Sequence, residues 1–119
     1  MPSSRPAATA LLALFPLLPC AAAAESAARV DRGRALLAQY QCGTCHTIPG
    51  VPGSRGEVAQ PLGAWGKRSY IAGRLVNRPE VLAQWIVAPQ ALVPGTAMPS
   101  MGVSPADAQA MAAYLFSLE

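Results

Sequence analysis

Glycine and proline are so dense in this chain that regular structure alone cannot make it compact. All ten glycines and eight of the twelve prolines fall after Ala24, within 95 residues, and each resists helix or strand. The whole chain, at 119 residues, has room for one domain. A domain this short and this loop-rich struggles to bury enough apolar surface by itself, so a staple is expected. Cys42 and Cys45 are the only thiols in that stretch, and the staple need not be a disulfide.

The N-terminus has a different composition. "AATALLALFPLL", residues 7–18, follows Arg5 with no acidic residue before Glu25. Such a run has signal-peptide length and falls short of a bilayer span. Pro16 and Pro19 work against a long helix there. Ala22 and Ala24 supply an A-x-A cleavage site, so residues 1–24 read as a signal peptide and 25–119 as the mature, exported domain. Cys20 raises the alternative of a lipid anchor, but Pro19 stands where lipoprotein processing favours a small residue, so Cys20 is expected to leave with the leader. Beyond residue 24 eight basic residues face six acidic ones without a lysine run, which points to neither nucleic acid nor an anionic membrane surface. No second hydrophobic span follows the leader.

Periodicity gives an all-α fold of about three main helices with long loops and no convincing strand. The first helix is expected over Arg29–Cys42, with Val30, Leu36, Leu37 and Tyr40 on one side. The second lies in "NRPEVLAQWIVAP", begun by Asn77 or Arg78, with Pro79 at the first helical position and Pro89 at its end. The third, "SPADAQAMAAYLFSLE", has Ser104 as cap, Pro105 at N1 and Asp107 in a capping-box position. Ala108, Met111, Ala112 and Leu115 form its buried stripe. The segments 47–66 and 89–103 read as long irregular loops, which are uncommon in compact domains unless functional.

The chemistry concentrates in "YQCGTCHTIPG", where Cys42, Cys45 and His46, the chain's one histidine, stand together. A structural zinc site needs four ligands and these are three. A redox dithiol belongs at a strand–helix junction and leaves the histidine unexplained. Covalent haem explains all three. Cysteines at i and i+3 share one face of a helical turn, each able to form a thioether, and the following histidine faces the iron; C-x-x-C-H is the c-type attachment signature. The haem is also the missing staple. With no second histidine, the sixth iron position falls to a methionine or stays open. Met98 and Met101 both sit in "PGTAMPSMGV", a loop long enough to cross a haem face, whereas Met111 reads as core.

The chain here resembles the small single-haem class I c-type cytochromes, over most of residues 30–118. The resemblance runs from Gly33 through "CGTCHTIPG", "YIAGRLVNRPE", "WI" and "PGTAMP" to "AAYLFSL". It implies a cytochrome c-like fold over 25–119, one covalent haem c, and His46 and Met98 as axial ligands, with Met101 as fallback. It also implies that the first and last helices cross, with Gly33 allowing close approach near Tyr114 and Leu115. Leu62, Tyr70 and Trp85 are expected in the haem pocket, and Arg74 is a further candidate for the haem propionates, while Lys67, which the resemblance also allows there, is read as solvated surface. One departure stands out. Where the family has Gly-Pro-x-Leu this chain reads "AQPL", so Gln60 takes the place of the proline whose carbonyl accepts the ligand histidine's second nitrogen.

His–Met iron leaves no vacancy for substrate, and methionine raises the reduction potential. The expected function is therefore a one-electron carrier, not an enzyme, in a periplasmic respiratory or dehydrogenase chain. Its partners are redox proteins met through a modest apolar patch, since overall charge is only 13%. Two alternatives stand beside it. One is a haem enzyme or gas-binding protein with a displaceable sixth ligand and Arg55 or Glu57 as the distal polar group. The other is an electron-transfer subunit of a larger oxidoreductase complex.

Overall fold

The computed structural model describes residues 1–3 and 18–119, so nearly all of the apolar leader lies outside the described residues. Four helices follow: α1 (Leu18–Gln39), α2 (Pro79–Val87), α3 (Pro89–Leu92) and α4 (Pro105–Phe116). Two 3₁₀ turns, Cys42–Thr44 and Trp65–Lys67, and a minimal hairpin, β1 (Tyr70–Ile71) with β2 (Leu75–Val76), lie between α1 and α2. None of the helices among the described residues is long and apolar enough to cross a membrane.

α1 starts eleven residues before the Arg29 expected from periodicity. Its extra turns come from "CAAAAESAA", whose alanines carry the highest helix propensity, and residues 20–29 are all exposed. Packing begins further on, where Gly33, Leu36 and Leu37 are buried at helical spacing. The helix also ends earlier than expected. Gln41 adopts a left-handed φ of 56°, which separates α1 from the turn that carries Cys42.

α2 and α4 begin for different reasons. Pro79 occupies the first turn of α2 and Arg78 is its cap residue without a side-chain cap. Asn77 does something else: its Nδ2 donates to the carbonyls of Trp65 (3.1 Å) and Arg68 (3.0 Å). In α4 the Ser104 hydroxyl accepts from the Asp107 amide at 3.1 Å, a cap worth about 1 kcal/mol. The Asp107 carboxylate reaches Arg32 (2.7 Å) and Tyr40 (3.0 Å), tying the start of α4 to α1. Ala108, Met111, Ala112 and Leu115 are buried as one stripe.

The α1–α4 crossing organises the core. A Cβ on Gly33 would lie 1.9 Å from the Ala110 carbonyl oxygen, so only glycine lets the two backbones meet. Tyr114 anchors the same junction by donating to Pro49 O at 2.6 Å. Leu37, Leu82, Trp85, Ile86 and Leu115 pack around it.

The loop expected over 47–66 is ordered by distant backbone partners. Gly56 N donates to Gly43 O, Ala59 N to Cys45 O and Leu62 N to Thr47 O, each at 2.9 Å. The segment thus runs alongside the cysteine motif in the same direction and covers it. The β1–β2 hairpin corrects the strand-free expectation: two residues per strand show no alternation in sequence, and Ala72 and Gly73 both take left-handed φ at its turn. α3 likewise occupies the start of the second expected loop.

Candidate functional site

The Cys42–Thr44 turn is built so that its functional side chains share one side. The Cys42 carbonyl accepts from both Cys45 N (3.2 Å) and His46 N (3.1 Å), which winds the three residues around a single turn. Gly43 is pressed against Ser54, where a Cβ would fall 2.3 Å from the hydroxyl oxygen, and Thr44 is exposed. Cys42, Cys45 and His46 then line one cavity of about 320 Å³, within the range of small-molecule sites.

Every large element contributes to that cavity. Leu37 comes from α1, Trp85 and Ile86 from α2, Leu115 from α4, and Met98 and Met101 from the loop before α4. No Asp, Glu, Lys or Arg lines it. A larger hollow of about 650 Å³ between α2, α3 and α4 holds no thiol, imidazole or thioether. The chemistry therefore belongs to the smaller cavity.

His46 has a defined role in the turn. Its Nδ1 donates to the Gln60 carbonyl at 2.7 Å, which fixes the proton on Nδ1 and leaves the Nε2 lone pair for a ligand bond. Gln60 thus provides the backbone acceptor in place of proline. The Cys42 thiol is pushed up from its ordinary pKa, chiefly by burial. Reactive dithiols have lowered values, so this environment tells against the redox-disulfide reading. Among the described residues no cluster of three or more His, Cys, Asp or Glu is arranged to hold a metal ion.

Of the residues expected in the pocket, Leu62 and Trp85 are both buried in its wall. Met98 is half-buried and packed on the core, while Met101 is 47% exposed at the rim. Tyr70 needs correction. It is 58% exposed and outside the lining, because strand alternation turns its neighbour Ile71 inward instead. Lys67 and Arg74 are exposed and also outside the lining. Trp65 is the residue that periodicity missed, since it stands in a loop with no regular spacing. It is 3% exposed in the cavity wall, and its indole Nε1 is buried with no hydrogen-bond partner among the described residues.

These features fit haem c. Two cysteines and a histidine with a free Nε2 stand at an apolar cavity, with a thioether-bearing loop along its wall. The unpartnered indole N–H lacks an acceptor of the kind a carboxylate-bearing ligand brings. Cys42, Cys45, His46 and Met98 are the residues that would hold the group.

An all-α domain with such a site defines a haem-binding protein of one-electron chemistry. The chain belongs to the cytochrome c family, whose model matches residues 30–119, and accordingly binds haem c and takes part in haem-based electron transfer with protein redox partners. It is similar to cytochrome c oxidase subunit 2 of Alkalihalophilus pseudofirmus (strain ATCC BAA-2126 / JCM 17055 / OF4), with 37% identity over 91 residues. That match covers 75% of this chain but only 25% of the relative, so the chain spans about a quarter of that protein's length. No solved structure matches significantly.

Proposed function

We propose that the chain is a one-electron carrier, not an enzyme, serving an exported, periplasmic respiratory or dehydrogenase chain. It holds one haem through thioethers from Cys42 and Cys45, with His46 and Met98 as axial ligands. The observation that carries this reading is the His46 Nδ1–Gln60 O bond of 2.7 Å, which leaves Nε2 free beside the cavity that both cysteines and Met98 line. The leader at residues 7–18 supports export.

The haem, when bound, supplies an iron that changes by one electron. The chain's residues account for the rest. Gln60 orients the imidazole, Met98 offers a soft thioether that favours reduced iron, and the apolar wall keeps water away. At the rim Val58 is 83% exposed and Met101 47% exposed, with no charge among the lining residues. An uncharged, modest apolar patch suits the small, short-lived contacts of electron-transfer partners.

A second reading rests on the relative named cytochrome c oxidase subunit 2. In it the same site passes electrons as a subunit of a larger oxidoreductase complex, and gentle detergent extraction would show the chain migrating with that complex.

Visible spectra of the haem-loaded protein test the site. Closed His–Met iron gives a reduced spectrum unaltered by carbon monoxide and a weak long-wavelength sulfur-to-iron band when oxidised. A rapid carbon monoxide shift would instead favour an open site, with gas binding or catalysis at the iron. Absence of haem would overturn the proposal.

A further inference from the structure

Two methionines reach the cavity from the loop before α4, and solvent reaches only one of them freely. Met98 is half-buried and packed on the core. Met101, three residues on, lines the same cavity yet is 47% exposed. Met111, in the middle of α4, is fully buried. Beyond the leader, Met101 is therefore the one exposed thioether among the described residues. Its place at the rim is held by the loop. The Ser100 hydroxyl donates to the Val87 carbonyl at 3.0 Å, tying the loop to the end of α2. Gly102 follows with a left-handed φ of 72° and open space where a Cβ would stand. Val58, 83% exposed, lines the cavity too, and no Asp, Glu, Lys or Arg does. A partner that settles on this rim is held by apolar contact, with no ion pair from the lining to offset a polar group placed there.

We propose that Met101 is an oxidation site that turns the docking rim off: hydrogen peroxide converts its thioether to the sulfoxide, and the polar S–O group then opposes contact with redox partners. The inference rests on the carrier reading and on the Val58–Met101 rim as its contact. In the step itself a sulfur lone pair attacks one peroxide oxygen, the O–O bond breaks and an S–O bond forms. The other oxygen leaves as water once both protons collect on it, so sulfur loses the two electrons that the peroxide gains. The product is a polar, chiral side chain in place of a flexible apolar one, and methionine sulfoxide reductases reverse it. Exposure sets which methionine reacts first, because peroxide has to reach the sulfur. Met98 and Met111 are shielded by the packing around them, so the thioether meant for the iron outlasts the one at the rim.

The test treats haem-loaded protein with dilute hydrogen peroxide. Tandem mass spectrometry should place an added oxygen on Met101 roughly ten times faster than on Met98 or Met111, with the sulfur-to-iron band still present. Electron self-exchange between oxidised and reduced copies of the chain, read from proton NMR line widths, should fall about tenfold, the scale on which an unpartnered polar group weakens an interface. A methionine sulfoxide reductase should restore the rate. Met101→Leu keeps the apolar volume and has no sulfur to oxidise; it should exchange electrons like untreated wild type both before and after peroxide. Oxygen appearing on Met98 as fast as on Met101 would overturn the proposal, and so would full conversion of Met101 with an unaltered rate. An equal loss of rate in treated Met101→Leu would place the damage elsewhere and overturn it too. A wild type without c-type haem would overturn the carrier reading and the switch together; a normally loaded protein that fails on any of the other counts overturns the switch alone.

Discussion

Replacing Gly33 by alanine should destabilise the protein although alanine is the better helix former. The new Cβ would sit 1.9 Å from Ala110 O, 2.6 Å from Ala110 C and 3.0 Å from Tyr114 Cβ. Two of these contacts involve backbone, so no side chain can swing aside and α1 must move away from α4 by more than about 1 Å to restore ordinary contact. Overpacking of this kind costs about 1–3 kcal/mol, sometimes more. A radial gap of about 1 Å forfeits up to roughly half the dispersion attraction of each pair at the crossing. Against that, alanine gains about 0.5–1 kcal/mol of helix propensity over glycine. The net loss should be about 2 kcal/mol, or roughly 10 °C in melting temperature for a domain of this size. Circular dichroism melts of the haem-loaded protein measure it, with Ala35→Gly on the exposed side of α1 as control, expected to lose only about 1 kcal/mol. Gly33→Ala melting within about 2 °C of wild type, or above it, would refute the close crossing.

Four further outcomes are expected. Met98→Ala should abolish the sulfur-to-iron band and admit carbon monoxide, whereas Met101→Ala should do neither; the reverse pattern would make Met101 the ligand. Tyr114→Phe, which deletes the bond to Pro49 O, should cost about 1 kcal/mol in urea unfolding. Asp107 is held below the usual carboxylate range, first by its hydrogen bond from Arg32 and then by Tyr40. Its contribution is therefore present above the unfolded value near pH 4 and lost as pH falls through the lower folded value. Melts below pH 5 should show Asp107→Asn losing less stability with acid than wild type does. Val58→Glu at the uncharged rim should slow electron exchange with an anionic one-electron oxidant and make the rate salt-dependent, and an unaltered rate would remove Val58 from the contact.

The sequence exposes those parts whose signals are local. Cys42, Cys45 and His46 form a contiguous motif, and α4 carries its cap, its N1 proline and its apolar stripe within sixteen residues. The 47–66 segment looks structureless because its bonds run to Gly43, Cys45 and Thr47, partners that periodicity within a window does not see. The outward side of Tyr70 is not legible because a strand of two residues is too short to show alternation in sequence. Trp65 escaped for a related reason: it acquires its role from a fold-dependent neighbour, the apolar cavity whose wall it joins.

The α1–α4 crossing also sets an order of events in the making of the protein. Arg32 meets Asp107 across 75 residues and Tyr114 meets Pro49 across 65, so the core is closed by a helix made long after α1. Closing loops of that length carries an entropic penalty and slows folding. Until α4 arrives, Gly33, Leu36 and Leu37 have no partner helix and the cavity beside the Cys42–His46 turn lacks the wall that Leu115 supplies. A chain stopped at Val103 should therefore be cut freely around the cysteine motif by a dilute protease, while the full chain resists. α4 is the wall that completes a cavity whose thiols and imidazole are made before it.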